Sequence, residues 1–241
     1  MKRDIDLASL MKKHFEVEFV FDDNRRILSA NYWTEAKTAK FLLGITRSGT
    51  SWAFGVDLPQ SICAELGRIA KLEDFDPSVS PNYHDRYLEI LTSDGLKQTT
   101  EIYDSFTYWY PNRGIQKMAR DCVLVSQTNQ DLLSTHFEHM LGYEGKVIQF
   151  DRPVVAQLID GVAVAVCSSA RSNREAHECY VLVAPEYRNS GLATNVVSSW
   201  ANVVSKMGIL PLYNTSIENV AAQNVAVKSG FSLYGRALRI H

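Results

Sequence analysis

Val181-Leu182-Val183-Ala184-Pro185-Glu186-Tyr187-Arg188-Asn189-Ser190-Gly191-Leu192-Ala193-Thr194 runs from a short β-branched strand through a Pro-ended turn into a loop of small residues. Beyond it, Val196, Val197, Trp200, Val203, Val204 and Met207 recur at helical intervals, so the loop opens directly into an amphipathic helix. Arg188 to Ala193 therefore stands where backbone N–H groups lack partners within the helix and the helix dipole is positive. Donors that converge in this way suit a phosphate or pyrophosphate. Gly191 lets the backbone approach the anion, Ala193 keeps the first turn narrow, and Arg188 adds a planar cation.

The spacing excludes two commoner phosphate loops. Neither G-x-x-x-x-G-K-S/T nor the Gly-x-Gly-x-x-Gly dinucleotide fingerprint is present. The motif that stands here is Arg-x-x-Gly-x-Ala, and a second follows at Asn219 to Phe231, N-V-A-A-Q-N-V-A-V-K-S-G-F. Leu212 to Thr215 reads as a strand between them.

In these residues the chain resembles the GNAT superfamily of acyl-CoA-dependent N-acyltransferases, whose loop reads Gln/Arg-x-x-Gly-x-Gly/Ala. The second motif is similar to the family's second CoA-contacting helix, Asn-x-x-Ala/Ser ending in Gly-Phe. The resemblance covers roughly Val154 to the C-terminus. It implies an α/β (α+β) fold: a mixed, mostly antiparallel sheet flanked by helices. It also implies acetyl-CoA as co-substrate and an amine as acceptor.

By that resemblance, the strand carrying Val181, Leu182 and Val183 parts from the next strand and admits the pantetheine arm. The backbones of Val181 and Val183 would pair with the arm as an added strand does. The loop Arg188, Asn189, Ser190, Gly191, Leu192, Ala193 and Thr194 would hold the pyrophosphate. Asn219 would contact CoA, and Asn is also a good helix N-cap. Both roles can hold.

Direct acyl transfer needs a deprotonated amine, a stabilised thioester oxygen and a protonated leaving thiolate. Glu178 is the candidate base by position; it also reads as an exposed strand carboxylate or as a partner for Arg171 or Arg174. The family's usual thiolate acid is a tyrosine seven residues after the asparagine, where this chain has Ala226. Tyr213, Tyr234 or water are the substitutes. The expected activity is transfer of an acetyl or short acyl group to a primary amine. The alternative is a catalytically silent acyl-CoA-binding regulatory module, motivated by Ala226.

A length of 241 residues fits one large domain or two small ones. The division expected is 1–120, an α+β half that could be a diverged GNAT-like domain lacking the anion loop, and 121–241, the acyltransferase. A net charge of −2 without a long basic run argues against nucleic acid as partner. No stretch approaches a membrane span, and the N-terminus lacks a signal-peptide core. Four scattered cysteines read as free thiols of a cytoplasmic protein, and the assembly as monomer or homodimer.

Other elements follow from pattern. Leu7 to Phe15 suggests a helix, Glu16 to Phe21 and Ile27 to Tyr32 a hairpin, and Pro59 to Lys71 a helix. Asn129 to Leu141 carries Leu132, Leu133 and Phe137 at helical spacing. His136 and His139 share that segment, but two histidines without a third ligand make no metal site. Asp160-Gly161 marks a hairpin between Val154–Ile159 and Val162–Cys167. Tyr103, Phe106, Tyr108, Trp109 and Tyr110 read as core or interface, with a substrate pocket as the other option.

Overall fold

The computed structural model describes residues 6–31, 38–93, 101–111, 117–140 and 152–241. The first half of the chain contains α1 (Leu7–Glu18), β1 (Phe19–Phe21), β2 (Ile27–Ala30), β3 (Phe41–Thr46), β4 (Gly49–Phe54), α2 (Gln60–Ala70), α3 (His84–Ser93) and β5 (Ile102–Trp109). After it come β6 (Cys122–Val125), β7 (Val154–Ile159), β8 (Val162–Ser172), β9 (Ala176–Val183), α4 (Leu192–Lys206), β10 (Leu210–Ser216), α5 (Val220–Lys228) and β11 (Ser232–Ile240). The chain forms two compact units. One holds residues 1–107, 215–218 and 233–241, and the other 108–214 and 219–232.

In the first unit the strands run in the order β4-β3-β11-β5, with β3 antiparallel to both β4 and β11. Phe41, Leu43 and Ile45 of β3 and Leu238 and Ile240 of β11 alternate onto one face, as a pleated strand requires. They pack on Leu66 and Ile69 of α2 and on Tyr87, Ile90 and Leu91 of α3. On β3's opposite face, α1 passes so close that a Cβ on Gly44 would lie 2.2 Å from Met11 Cγ. A buried polar network closes this unit: Arg239 pairs with both carboxylate oxygens of Glu18 and donates to Ser105 Oγ (2.6 Å). His14 Nδ1 lies 2.6 Å from the Tyr234 hydroxyl.

The second unit has the order β10-β9-β8-β7-β6, antiparallel except where β10 runs parallel to β9. Its cover is α4. Val196, Val197, Trp200, Ala201 and Val204 are buried because the apolar positions of α4 fall on one stripe. The Trp200 indole N–H donates to Ser169 Oγ (3.1 Å), so the largest buried side chain meets its polar requirement inside the sheet. Tyr110 does the same through Asn202 (3.0 Å), which makes that tyrosine a core residue.

The structure departs from the sequence reading in four places. α1 continues to Glu18, because Val17 and Glu18 extend its buried face, and leaves only Phe19–Phe21 to the hairpin strand. Asn129 to Leu141 is not one helix: it forms two 3₁₀ turns, Gln130–Leu133 and Glu138–Met140, and Leu141 lies outside the described residues. Asn129 accepts from the Ser126 N–H and hydroxyl and donates to the Leu124 carbonyl, which fixes the turn that leads into the segment. α3, whose spaced Tyr87, Ile90 and Leu91 were the available signal, was not anticipated. Phe231 to Ile240, whose pattern suggests the last strands of the sheet, contains a single long strand, β11.

Candidate active site

β9 and β10 pair at three positions: Ala176 with Leu210, His177 with Pro211, and Glu178 with Leu212. Beyond Leu212 the ladder stops, although β9 continues to Val183 and β10 to Ser216. The gap opens into a cleft of about 700 Å³. Val181, Leu182 and Val183 line it consecutively, which a strand does only when its backbone edge, not one face, borders the space.

The direction of that edge follows from one bond. The Ala184 N–H donates to the Val164 carbonyl (2.9 Å), and the ladder aligns Val183 with Ala165 and Val181 with Cys167. In an antiparallel pair, alternate residues turn their N–H and C=O toward the partner strand. Leu182 and Ala184 therefore face β8, while Val181 and Val183 turn their main-chain groups toward the opening. A bulge in β8 between Ser169 and Arg171, opposite Cys179 and Glu178, marks where the separation begins.

The cleft runs to the N-terminus of α4. Gly191 is the N-cap, with φ +84° in the left-handed region, and Asn189 is also left-handed at φ +63°. A Cβ on Gly191 would touch nothing within 4 Å, so glycine is there for its backbone conformation. The Leu192 and Ala193 N–H groups, in the first turn, find no carbonyl within the helix. Ser190 Oγ bonds the Tyr187 carbonyl, and Arg188 Nε reaches the Val183 carbonyl at 3.4 Å. The Arg188 side chain is exposed at the rim.

α5 forms the far wall. Asn219 caps it by accepting the Ala222 N–H (3.0 Å) and borders the cleft as well. Ser229 Oγ donates to the Thr194 carbonyl (3.3 Å), tying the end of α5 to the first turn of α4. Among the described residues that line it, Lys228 and Arg188 are the charged side chains and none is a carboxylate. Sequence reasoning missed Lys228. Its signal, a cation one turn and a half after Asn219's Asn-x-x-Ala motif, is too common to single out.

Tyr213 enters the cleft from β10, its ring edge-on to Tyr108 (6.1 Å) and to Phe231 (5.7 Å). Burial pushes the Tyr108 hydroxyl up to about 12. Ala226, where the family has its tyrosine, is the fully buried residue of α5. Glu178 is buried, does not line the cleft, and takes Arg171 as partner, Nη2 to Oε1 at 2.8 Å. His136 sits 3.7 Å from Glu186 and stacks edge-on to Tyr187, on a different turn from His139.

The four cysteines are free. Burial pushes the Cys179 thiol well up, with the neighbouring Cys167 thiol adding to it, and burial also raises Cys122. No helix among the described residues is long and apolar enough to cross a membrane.

A sequence profile of the GNAT acetyltransferases matches residues 114–236, just over half of the chain. No curated protein matches it. Among solved structures, an acetyltransferase of the GNAT family from Colwellia psychrerythraea aligns over 100% of this chain and 97% of its own, at 14% identity and a TM-score of 0.50. A GCN5-related N-acetyltransferase-like protein from Streptococcus suis 89/1591 aligns over 87% of each chain, with 15% identity and a TM-score of 0.48. A GNAT-family acetyltransferase structure from Novosphingobium aromaticivorans DSM 12444 aligns over 58% of this chain and 66% of its own, with 15% identity and a TM-score of 0.46. Identities this low speak to the fold alone. The profile spans β9, the Gly191 loop and α5, the three elements that build the cleft, and on that match the chain belongs to the GNAT acetyltransferases and is an acyltransferase.

Proposed function

We infer that the chain transfers an acetyl or short acyl group from acetyl-CoA to a primary amine, of a small molecule or an exposed amino group, by direct attack. The observation that carries this is the parting of β9 from β10 after Glu178 and Leu212. It leaves a strand edge at Val181 and Val183 that leads to a helix N-terminus. A pantetheine arm has amides for such an edge, and a pyrophosphate has charge for such a terminus. Arg188 and Lys228, with no carboxylate among the described lining residues, add attraction for a polyanion.

In this reading Val181 and Val183 hold the arm, Leu182 packs along it, and Arg188 through Thr194 hold the pyrophosphate. Asn219 borders the same ligand while capping α5. The amine nitrogen attacks the thioester carbonyl carbon, the C–N bond forms, and collapse of the tetrahedral adduct breaks the C–S bond. The nitrogen gives up a proton, and the departing sulfur takes one. Glu178 is the proposed proton acceptor, directly or through water, and Tyr213 the proposed donor to sulfur. Loss of the family's tyrosine at Ala226 is tolerable, since a thiol with a pKa of ~8.5 leaves readily.

Calorimetric titration with acetyl-CoA, free CoA and ATP tests the ligand, and amine-dependent thiol release from acetyl-CoA tests the chemistry. Binding of both CoA forms but not ATP, with thiol release in an amine screen, is the expected outcome. Failure of either CoA form to bind would end this reading.

A further inference from the structure

A second strand edge of the same kind lies in the first unit. β4 is the last strand of its sheet. Its ladder with β3 closes through a two-residue turn at Thr46 and Gly49, and the Gly55 N–H donates to the Lys40 carbonyl (2.7 Å). Both features fix the same alternation: Ser51 and Ala53 bond toward β3, while Thr50 and Trp52 turn their N–H and C=O outward, and the edge is closed beyond them by Ile27, which bridges Gly55 in parallel with the Val56 N–H donating to its carbonyl (3.2 Å). Thr50 to Phe54 consecutively line a cleft of about 910 Å³, so this cleft too follows a backbone edge.

Its walls have a consistent character. Trp52 and Phe54 are half-buried aromatics, and Lys12 from α1 with Arg25 from the turn before β2 stand at the border. No Asp or Glu is among the described residues that line it. Arg25 bridges Glu16 at 2.8 Å yet remains 60% exposed, so it can change partners. Arg26 is already committed to the carbonyls of Gly55 and Leu58, and holds the loop into α2 in shape. Exposed edges are ordinarily blunted by a charged residue, a proline or a bulge on the strand itself. Gly49-Thr50-Ser51-Trp52-Ala53-Phe54 has none of these, and its register is unbroken.

We propose that the outer edge of β4 is a docking site for an extended acidic peptide segment of a partner protein. The segment adds to the sheet through the main-chain groups of Thr50 and Trp52. Its apolar side chains lie on the two aromatic rings, and its carboxylates meet Lys12 and Arg25. This site is independent of the CoA cleft and does not rest on it.

Fluorescence anisotropy of a labelled alternating Glu-Val hexapeptide on the full chain tests this. Its Lys-Val counterpart and a Glu-Val peptide with N-methylated amides serve as controls. The acidic peptide should bind at least tenfold tighter than either, and rising salt should weaken it. Lys12→Glu with Arg25→Glu should cost about tenfold or more in affinity. Thr50→Pro removes an outward donor without breaking a β3–β4 bond, and should weaken the peptide while leaving the CoA titration unchanged. No binding, or equal binding of all three peptides, overturns the proposal. So does a dimer in sedimentation that Thr50→Pro dissociates, since the edge would then belong to a second copy.

Discussion

Glu178 and Leu212 face each other as the last paired residues of β9 and β10, and the cleft begins one residue later. Glu178 therefore sits at the apex of the opening, held by Arg171 at 2.8 Å. A base role for it predicts that Glu178→Gln lowers kcat by ~10²–10⁴-fold and removes the acid limb of the pH profile. Affinity for acetyl-CoA should not change, since glutamine still accepts from Arg171 and the lining residues are untouched. A variant with wild-type turnover at all pH values would leave Glu178 as Arg171's structural partner only.

Gly191→Val should cost CoA affinity more than a hundredfold. The reason is not crowding inside the protein, because the space around its Cβ position is empty. In the proposed binding mode that space is the ligand's, and valine at φ +84° also strains the backbone by ~1–2 kcal/mol. Circular dichroism should show a folded protein with a slightly lower Tm. Calorimetry showing normal CoA affinity would move the pyrophosphate elsewhere.

Lys228 lines the cleft across from Arg188, tied to the α4 terminus through the Ser229–Thr194 bond. CoA carries a 3′-phosphate besides its pyrophosphate, and Lys228 is the proposed contact for that second anion. Lys228→Ala should weaken CoA about tenfold, near the lower end for a bond to a charged group, and leave dephospho-CoA unchanged. Equal losses for both ligands would assign Lys228 to the pyrophosphate or to general charge.

Much of this cleft could be read from sequence because its parts are local. Gly191, Arg188 and the apolar stripe of α4 lie within one turn-and-helix, and the Asn219 cap is decided by Ala222, three residues away. What escaped notice depends on distant residues. Glu178's burial, and the choice of Arg171 over Arg174 between the two partners its spacing allowed, depend on the β8–β9 register, and that register contains a bulge that spacing does not reveal. The segment from Asn129 differs in another way: its apolar spacing is helical, but the chain there closes two separate 3₁₀ turns, Gln130–Leu133 and Glu138–Met140, instead of one helix.

Arg239→Leu should destabilise the first unit by ~3–5 kcal/mol, the usual cost of leaving a buried charge without its partner. Glu18, fully buried, would keep its carboxylate with neither guanidinium contact. Urea denaturation checks the size, and Glu18→Gln combined with Arg239→Leu should recover part of the loss. A single variant as stable as wild type would mean that Glu18 finds water or another donor.

Alkaline stability tests the buried acids as a group. Burial raises Cys122 and Cys179 above the ordinary thiol value of 9.0, and raises Tyr108 from 10.0 to about 12. Burial, with the neighbouring Glu73, also pushes Tyr87 up. Each group keeps its proton in the folded chain at a pH where the unfolded chain has released it. The unfolded state then binds fewer protons, so stability is full below about pH 9 and falls as pH rises through the thiol and phenol range. Denaturation midpoints measured from pH 8 to 11 should decline, first from the thiols and then from the tyrosines. Cys179→Ala should flatten the early part of the decline, whereas Tyr108→Phe should flatten only the later part. A midpoint that stayed level above pH 9 would mean the thiols are not shielded as their burial requires.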